Sequence, residues 1–187
     1  MLWLISDTHW GHKNIIEYSK RPFSSIEDMD EALIKNWNAL VQPNDDVWHL
    51  GDFAFMKYMQ FTTVLRRLNG KINVVLGNHD KVIIENKKDL LTSNLLNSIQ
   101  DYKEVKYEGK NLILFHFPIK SWNKKHHGAI HCFGHVHSAI PAFAKSVDVG
   151  VDNKEITSEY RPISFDELVK FMDKRPDVIV DHHVSKD

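Results

Sequence analysis

Disulfides are closed to this chain. Cys132 is its only cysteine, so no intrachain bridge can staple the fold, and a reducing, cytoplasmic setting is expected. Glycine and proline are sparse as well, eight and six in 187 residues, and no linker, low-complexity tract or internal repeat interrupts residues 1–175. A single domain over 1–175 with a loose tail over 176–187 is therefore expected. No apolar run approaches the roughly 18 residues of a membrane span, and the apolar opening Met1 to Ile5 is too short for a signal-peptide core and lacks a basic flank. No membrane association is expected, and nothing marks an obligate protein partner. An excess of one charge is missing too. Twenty-four Lys and Arg against 25 Asp and Glu leave a net charge of -1, so an anionic substrate must be held by local groups and not by an overall field. What the chain does have is histidine, 12 copies of the commonest metal-binding and acid–base side chain.

Short β-branched and apolar runs alternate with helical patterns. Strands are predicted over residues 1–5, 46–50, 71–76, 111–115, 129–133 and 146–149. Between the first two, Ile26, Met29, Leu33, Trp37, Leu40 and Val41 form one helical stripe that Ser25 and Asp28 can cap. A second helix is expected over 56–68, closed by Asn69-Gly70, and residues 81–100 read as helix in pieces. Val105 to Phe115, folded about Glu108-Gly109-Lys110, reads as a hairpin, and Ser164 with Glu167 caps a last amphipathic helix. Early strand–helix alternation with later hairpins points to an α/β fold with a mixed or doubled sheet.

Polar residues follow each of the strongest candidate strands. Asp7 and His9 follow the first, Asp52 the second, and Gly77-Asn78-His79-Asp80 the third; His116 ends the hairpin, and Gly134-His135-Val136-His137 follows the next strand. Ligands gather beyond the carboxyl ends of strands in open α/β sheets, so five distant segments can meet at one point. Asp7 and His9, two apart, would share one face if extended. Asp7, His9, Asp52, Asn78, His116, His135 and His137 together offer three oxygen donors and four imidazoles. That mixture suits a pair of divalent transition-metal ions, Mn foremost, with Fe, Zn or Co also compatible, better than Ca or Mg alone. Two such ions, clamping a phosphoryl group, make phosphoester hydrolysis the expected reaction.

In order along the chain, Asp-x-His, Gly-Asp, Gly-Asn-His-Asp, a lone His and Gly-His-x-His resemble the signature of the calcineurin-like metallophosphoesterase superfamily. The resemblance implies a four-layer α/β/β/α sandwich of two mixed sheets flanked by helices. It also implies a division of ligands: Asp7, His9, Asp52 and His137 on one ion, Asn78, His116, His135 and a bridging Asp52 on the other. A metal-activated hydroxide would attack phosphorus, His79 would be the general acid for the leaving oxygen, and Asp80 would fix its orientation. The stretch Ser6-Asp7-Thr8-His9-Trp10-Gly11-His12-Lys13-Asn14-Ile15-Ile16 is similar to small bacterial and phage phosphoesterases of that superfamily.

Phe53-Ala54-Phe55 follows Gly51-Asp52 where phosphoprotein phosphatases carry Asp-Arg-Gly, which removes the arginine that grips a phosphomonoester. With no insertion large enough for a cap, the site should be open and suit diesters, nucleotides or polymer ends. The substrate is thus expected to be a phosphoester, with a nucleotide or nucleic acid included. A nucleic-acid end-processing nuclease and a non-catalytic metal-binding scaffold are the alternatives. His12 and Asn78 are expected to touch substrate. Lys120, Lys124, Lys125, His126 and His127 could grip a further phosphate, though a solvated loop is the simpler reading. His49, His131 and Cys132 read as core, His182 and His183 as tail. Trp10, Phe53, Phe55 and Trp122 could stack on a base, although packing is the commoner use of such rings.

Overall fold

The computed structural model describes residues 1–157, 159–176 and 178. Two sheets stack face to face. The first contains β1 (Leu2–Ile5), β2 (Asp46–His49), β3 (Lys71–Val75) and β4 (Ser98–Gln100), all parallel, with β9 (Ile163–Ser164) antiparallel on the far side of β1. The second contains β5 (Tyr102–Tyr107) antiparallel to β6 (Lys110–Phe115), then β7 (Ile130–Phe133) and β8 (Ser146–Asp148), parallel to β6. Both sheets are therefore mixed.

Alternation along each strand decides what each layer touches. Trp3, Ile5, Val47, Ile72 and Val74 face α2 (Ile26–Asn38), α3 (Tyr58–Leu65) and the short helices α1 (Lys13–Tyr18), α4 (Lys81–Glu85) and α5 (Lys87–Thr92). Leu2, Leu4, Trp48 and Val75 point the other way, into an inter-sheet core with Leu112, Leu114, Ile130, Cys132 and Val147. The helix α6 (Phe165–Asp173) plugs that core with Phe165, Leu168 and Met172. Strands buried on both faces explain why β1 to β3 read as continuous apolar runs. On the outer face of the second sheet, Ile113 packs under Trp122 and Ala129, which flank a 3-10 turn, Lys125–His127.

Local signals act as expected at three places. The Ser25 side chain accepts the Asp28 N–H at 3.1 Å and starts α2. Ser164 and Glu167 form a reciprocal capping box on α6, at 3.2 and 2.8 Å. Glu108 and Gly109, at φ 45° and 80°, make the two-residue turn of the β5–β6 hairpin.

Two expectations need correction. The helix expected over 56–68 spans only Tyr58–Leu65: Arg66 caps it, and the Arg67 and Leu68 N–H groups tighten to carbonyls three residues back, on Val64 and Leu65, before Gly70. Residues 98–100, expected helical, form the edge strand β4. Asn94 at φ 55° ends α5, and the Leu95 and Leu96 N–H groups return to the Leu90 carbonyl, freeing the chain to pair with β3. Neither α1 nor the two-residue β9 was foreseen. The tail histidines His182 and His183 lie outside the described residues.

Candidate metal centre

All seven sequence-predicted donors meet in one place, beyond the carboxyl ends of β1, β2, β3, β6 and β7. Beyond β1 and β2, the two loops keep bonding to one another: His9 N–H donates to the Asp52 carbonyl at 3.1 Å, and Trp10 N–H to that of Phe53 at 3.0 Å. On the other sheet, Gly134 N–H donates to the His116 carbonyl at 2.9 Å. Glycine is needed where these loops touch. A Cβ on Gly77 would collide with the Asp52 carboxylate, and one on Gly134 with Ser6 and the Asp7 carboxylate.

The donors fall into two groups of three in which potential ligand atoms all lie within 4.8 Å of one another: Asp7, His9 and His137, then Asp52, His116 and His135. Asp52 faces both groups. Its Oδ2 lies 3.8 Å from His9 Nε2, and its Oδ1 lies 3.6 Å from His116 Nε2. Asn78 Oδ1 sits within the second group, 3.1 Å from His116 Nε2 and 3.0 Å from His135 Nδ1. Asp7 and His9 share a group, but not because the segment is extended. Asp7, His9, Asp52, His135 and His137 all adopt left-handed backbone, with φ between 45° and 71°. Such a conformation costs a non-glycine residue about 1–3 kcal/mol and persists only where surrounding contacts impose it.

Divalent ions fit these residues, and three observations say so. His9 is 2% exposed, yet neither of its ring nitrogens has a hydrogen-bond partner among the described residues, a costly arrangement for a buried polar group unless something else binds it. His116 Nδ1 lies 2.7 Å from the Leu50 carbonyl, so it carries the proton and Nε2 is left as a lone pair aimed at Asn78 Oδ1 and Asp52 Oδ1. A cation reconciles those three acceptors. Burial drives the His9 pKa down to about 2 and lowers that of His116, which keeps both rings neutral and able to ligate. Burial also pushes the Asp7 carboxyl well up, reinforced by Asp148 and Asp52, a gathering of carboxylates that positive charge would relieve.

The supporting residues were missed by the sequence reading. Asp152 Oδ2 lies 2.7 Å from His137 Nδ1, and both Asp152 oxygens accept from Arg21, at 2.9 and 2.8 Å. Arg21, fully buried, also donates to the Asp7 and Thr8 carbonyls at 2.7 and 2.9 Å, so one guanidinium ties the loop after β1 to the segment after β8. Burial alone would raise the Asp152 pKa, but the bonds from His137 and Arg21 outweigh it and hold the carboxyl below its ordinary range. Asp148 accepts from Ser138 and Gly150 N–H and fixes the loop that follows His137. A signal existed: Asp148-Val149-Gly150-Val151-Asp152 repeats the placement of carboxylates after a strand seen at Asp52. Arg21 had none.

Asp80 corrects another expectation. Its carboxylate is buried and accepts three backbone N–H groups, from Asp52 at 3.0 Å, Phe53 at 2.8 Å and Gly77 at 2.7 Å. Asp80 thus clamps the loops after β2 and β3, and does not orient the His79 ring. Burial raises its pKa to about 6. His79 itself is exposed; its backbone N–H donates to Asp52 Oδ1 at 2.9 Å, and its ring centroid lies 6.2 Å from that of His9. His12 stacks on Phe55 with centroids 4.0 Å apart, at the rim of the site. Of the four rings offered for base stacking, Trp10, Phe53 and Trp122 are buried and only Phe55 reaches the surface.

His49, His131 and Cys132 are core residues. His49 accepts the Gly51 N–H at Nδ1, so its Nε2 donates to Thr8 Oγ1 at 2.8 Å and braces the loops from below. Lys125 is withdrawn from the basic stretch: it is buried, lies over the Trp122 ring and donates to the Val178 carbonyl. No helix among the described residues is long and apolar enough to cross a membrane.

Known proteins resemble this chain in sequence or in fold. An uncharacterized protein of Methanocaldococcus jannaschii is 35% identical over 182 residues, 92% of each chain. A solved protein of unknown function from Aquifex aeolicus superposes with a TM-score of 0.70 at 27% identity, covering 91% of this chain and 98% of that one. The structure of an archaeal phosphodiesterase has the same fold, with a TM-score of 0.51 at 19% identity over 80% of this chain and 81% of its own. Residues 1–152 match the model of the calcineurin-like phosphoesterase superfamily domain. The two mixed sheets, the meeting of donors at their strand ends and this match agree: the chain belongs to the calcineurin-like phosphoesterase superfamily.

Proposed function

We propose that the chain is a dinuclear metal-dependent phosphoesterase that cleaves phosphodiesters. The observation that carries this reading is Asp52, whose two oxygens face separate groups of histidines, at 3.8 Å from His9 and 3.6 Å from His116. Asp7, His9, His137 and Asp52 would hold one divalent ion; Asn78, His116, His135 and Asp52 the other. When bound, the ions would lower the pKa of water, draw the phosphoryl oxygens into place and offset the charge that develops on them. Mn is the favoured metal for this mixed oxygen and imidazole set.

The chain's own residues do the rest. Asp152, itself held by Arg21, engages His137 Nδ1 and would leave Nε2 to hold an ion, and the Leu50 carbonyl would do the same for His116. His79, exposed beside His9 and with its backbone N–H tied to Asp52, would deliver a ring proton to the departing ester oxygen. His12, stacked on Phe55, would contact a substrate oxygen, and Asn78 would touch substrate while ligating. An open site without a binding arginine suits a diester better than a monoester.

The test is turnover of bis(p-nitrophenyl) phosphate by the full chain with Mn²⁺, Fe²⁺, Zn²⁺ or Co²⁺, alongside elemental analysis. About two ions per chain and metal-dependent release of nitrophenol are expected. Two bound ions without turnover of any aryl or nucleotide diester would leave the non-catalytic scaffold as the better reading. His79→Ala should keep its metal and lose about 10²- to 10⁴-fold in rate with poor leaving groups, and much less with nitrophenol, which departs without help.

A further inference from the structure

A cavity of about 530 Å³ opens beside the donor groups, on the side where His79 stands, between residues 54–58 and α4. That is within the range of roughly 300–1,000 Å³ in which small-molecule clefts fall. Phe55, Met56, Tyr58 and Val82 supply its apolar wall, and Asn78 and His79 form its border with the candidate metal centre. Phe55 is 36% exposed; its ring stacks on His12 at 4.0 Å and lies 4.9 Å from His79. The Tyr58 hydroxyl is taken by Asp89, which leaves its ring as a wall. The amide of Asn86 and the exposed Lys57 and Lys81 complete the lining, with Lys81 facing Glu85 at 3.6 Å.

We propose that this cavity receives the nucleoside of a nucleotide ester, its base against Phe55 and its ester oxygen toward His79. The proposal rests on the phosphoesterase reading above and names the group that departs. A π-face with polar groups at its edge, the Asn86 amide whose Nδ2 also donates to the Val82 carbonyl at 2.9 Å among them, matches a base, which has apolar faces and a hydrogen-bonding rim. An alkyl chain would need an unbroken apolar wall, and Asn78, His79 and Asn86 interrupt this one. Lysines at the mouth favour a leaving group that carries further phosphates.

Two measurements on the full chain test it. With Zn²⁺ present, titration with adenosine should shift the amide resonances of residues 55–58 and 81–86 in a saturable way and leave those of β5 unmoved. Val82→Trp, which fills the cavity, should abolish the shifts, and Phe55→Leu, which keeps apolar bulk but removes the ring, should weaken binding about tenfold. In turnover of bis(p-nitrophenyl) phosphate, adenosine 5′-monophosphate should inhibit about tenfold more strongly than methyl phosphate, and Phe55→Leu should erase that ratio. A Phe55 that only braces His12 and His79 would change both inhibition constants together. Adenosine shifts that are absent or scattered, or a ratio near one in the parent, would overturn the proposal. A chain that turns over no diester with any metal overturns the phosphoesterase reading instead, and the adenosine titration still decides the cavity.

Discussion

Asp7 and His9 are buried and His137 is half-buried, backed by the equally buried Arg21–Asp152 pair, whereas the second donor group ends in two exposed residues, His135 and Asn78. The first group is assembled from loops welded by backbone hydrogen bonds and a guanidinium. The second leans on His116 and Asp52 alone for its buried part. On the proposed dinuclear reading, the difference would give the two positions different tasks: the first would hold its occupant away from water, and the second would present it to whatever enters beside His79. The residue common to both is Asp52, so the contrast can be tested by removing what they share and then what only one has.

The largest effect should come from Asp52→Asn, which withdraws a charge from both groups at once. Metal content should fall below one ion per chain, and metal-dependent diesterase activity should drop by more than about a hundredfold, measured by elemental analysis and initial rates. Retention of both ions would remove the bridging role. Next, Arg21→Met strips the partner from a buried carboxylate and should destabilise folding by about 3–5 kcal/mol in chemical denaturation. Asp152→Asn keeps the shape and should lower affinity for one of the two ions about 10- to 100-fold. Equal weakening at both positions would erase the contrast between the groups.

A smaller, kinetic effect should separate them directly. On adding a chelator, metal release followed by a colorimetric indicator should show two phases. His135→Ala should remove the fast phase and His9→Ala the slow one; a single phase in the parent would show that burial does not set the rate. The smallest effect concerns Asp30 on α2, whose carboxylate accepts the Gly11 N–H at 3.0 Å and steadies the loop carrying His9 and His12. Burial raises its pKa to about 6, so the folded state favours the protonated form. Its contribution to stability is therefore full below the unfolded carboxylate range and is lost as pH rises through about 6. Asp30→Asn should flatten the fall in melting temperature between about pH 4 and 6 and raise it modestly at pH 7, read in thermal melts at fixed ionic strength.

The legible parts of the molecule were those written in local chemistry. Ser25 and Ser164 announced helix starts because a capping hydroxyl needs only the next three residues. Glu108-Gly109 announced a hairpin for the same reason. The donors stood out because strand ends in parallel sheets collect ligands, and so short motifs with carboxylates and histidines there had a place to converge. Residues 98–100 misled because an edge strand is stabilised by its neighbour β3 and not by its own pattern. Asp80 misled because a carboxylate next to a histidine in sequence need not point at it; the turn sends it inward to three backbone N–H groups.

The sequence by itself determined the α/β class, the seven candidate donors and the absence of any covalent staple, since alternation, ligand type and cysteine count are properties of residues and their near neighbours. Tertiary structure alone decided which candidate donors come within reach of one another, that Arg21 and Asp152 support His137, and that five ligand candidates take left-handed backbone. The reason is physical: orientation and burial are set by segments more than a hundred residues apart, and a strained φ survives only when packing from those distant segments holds it.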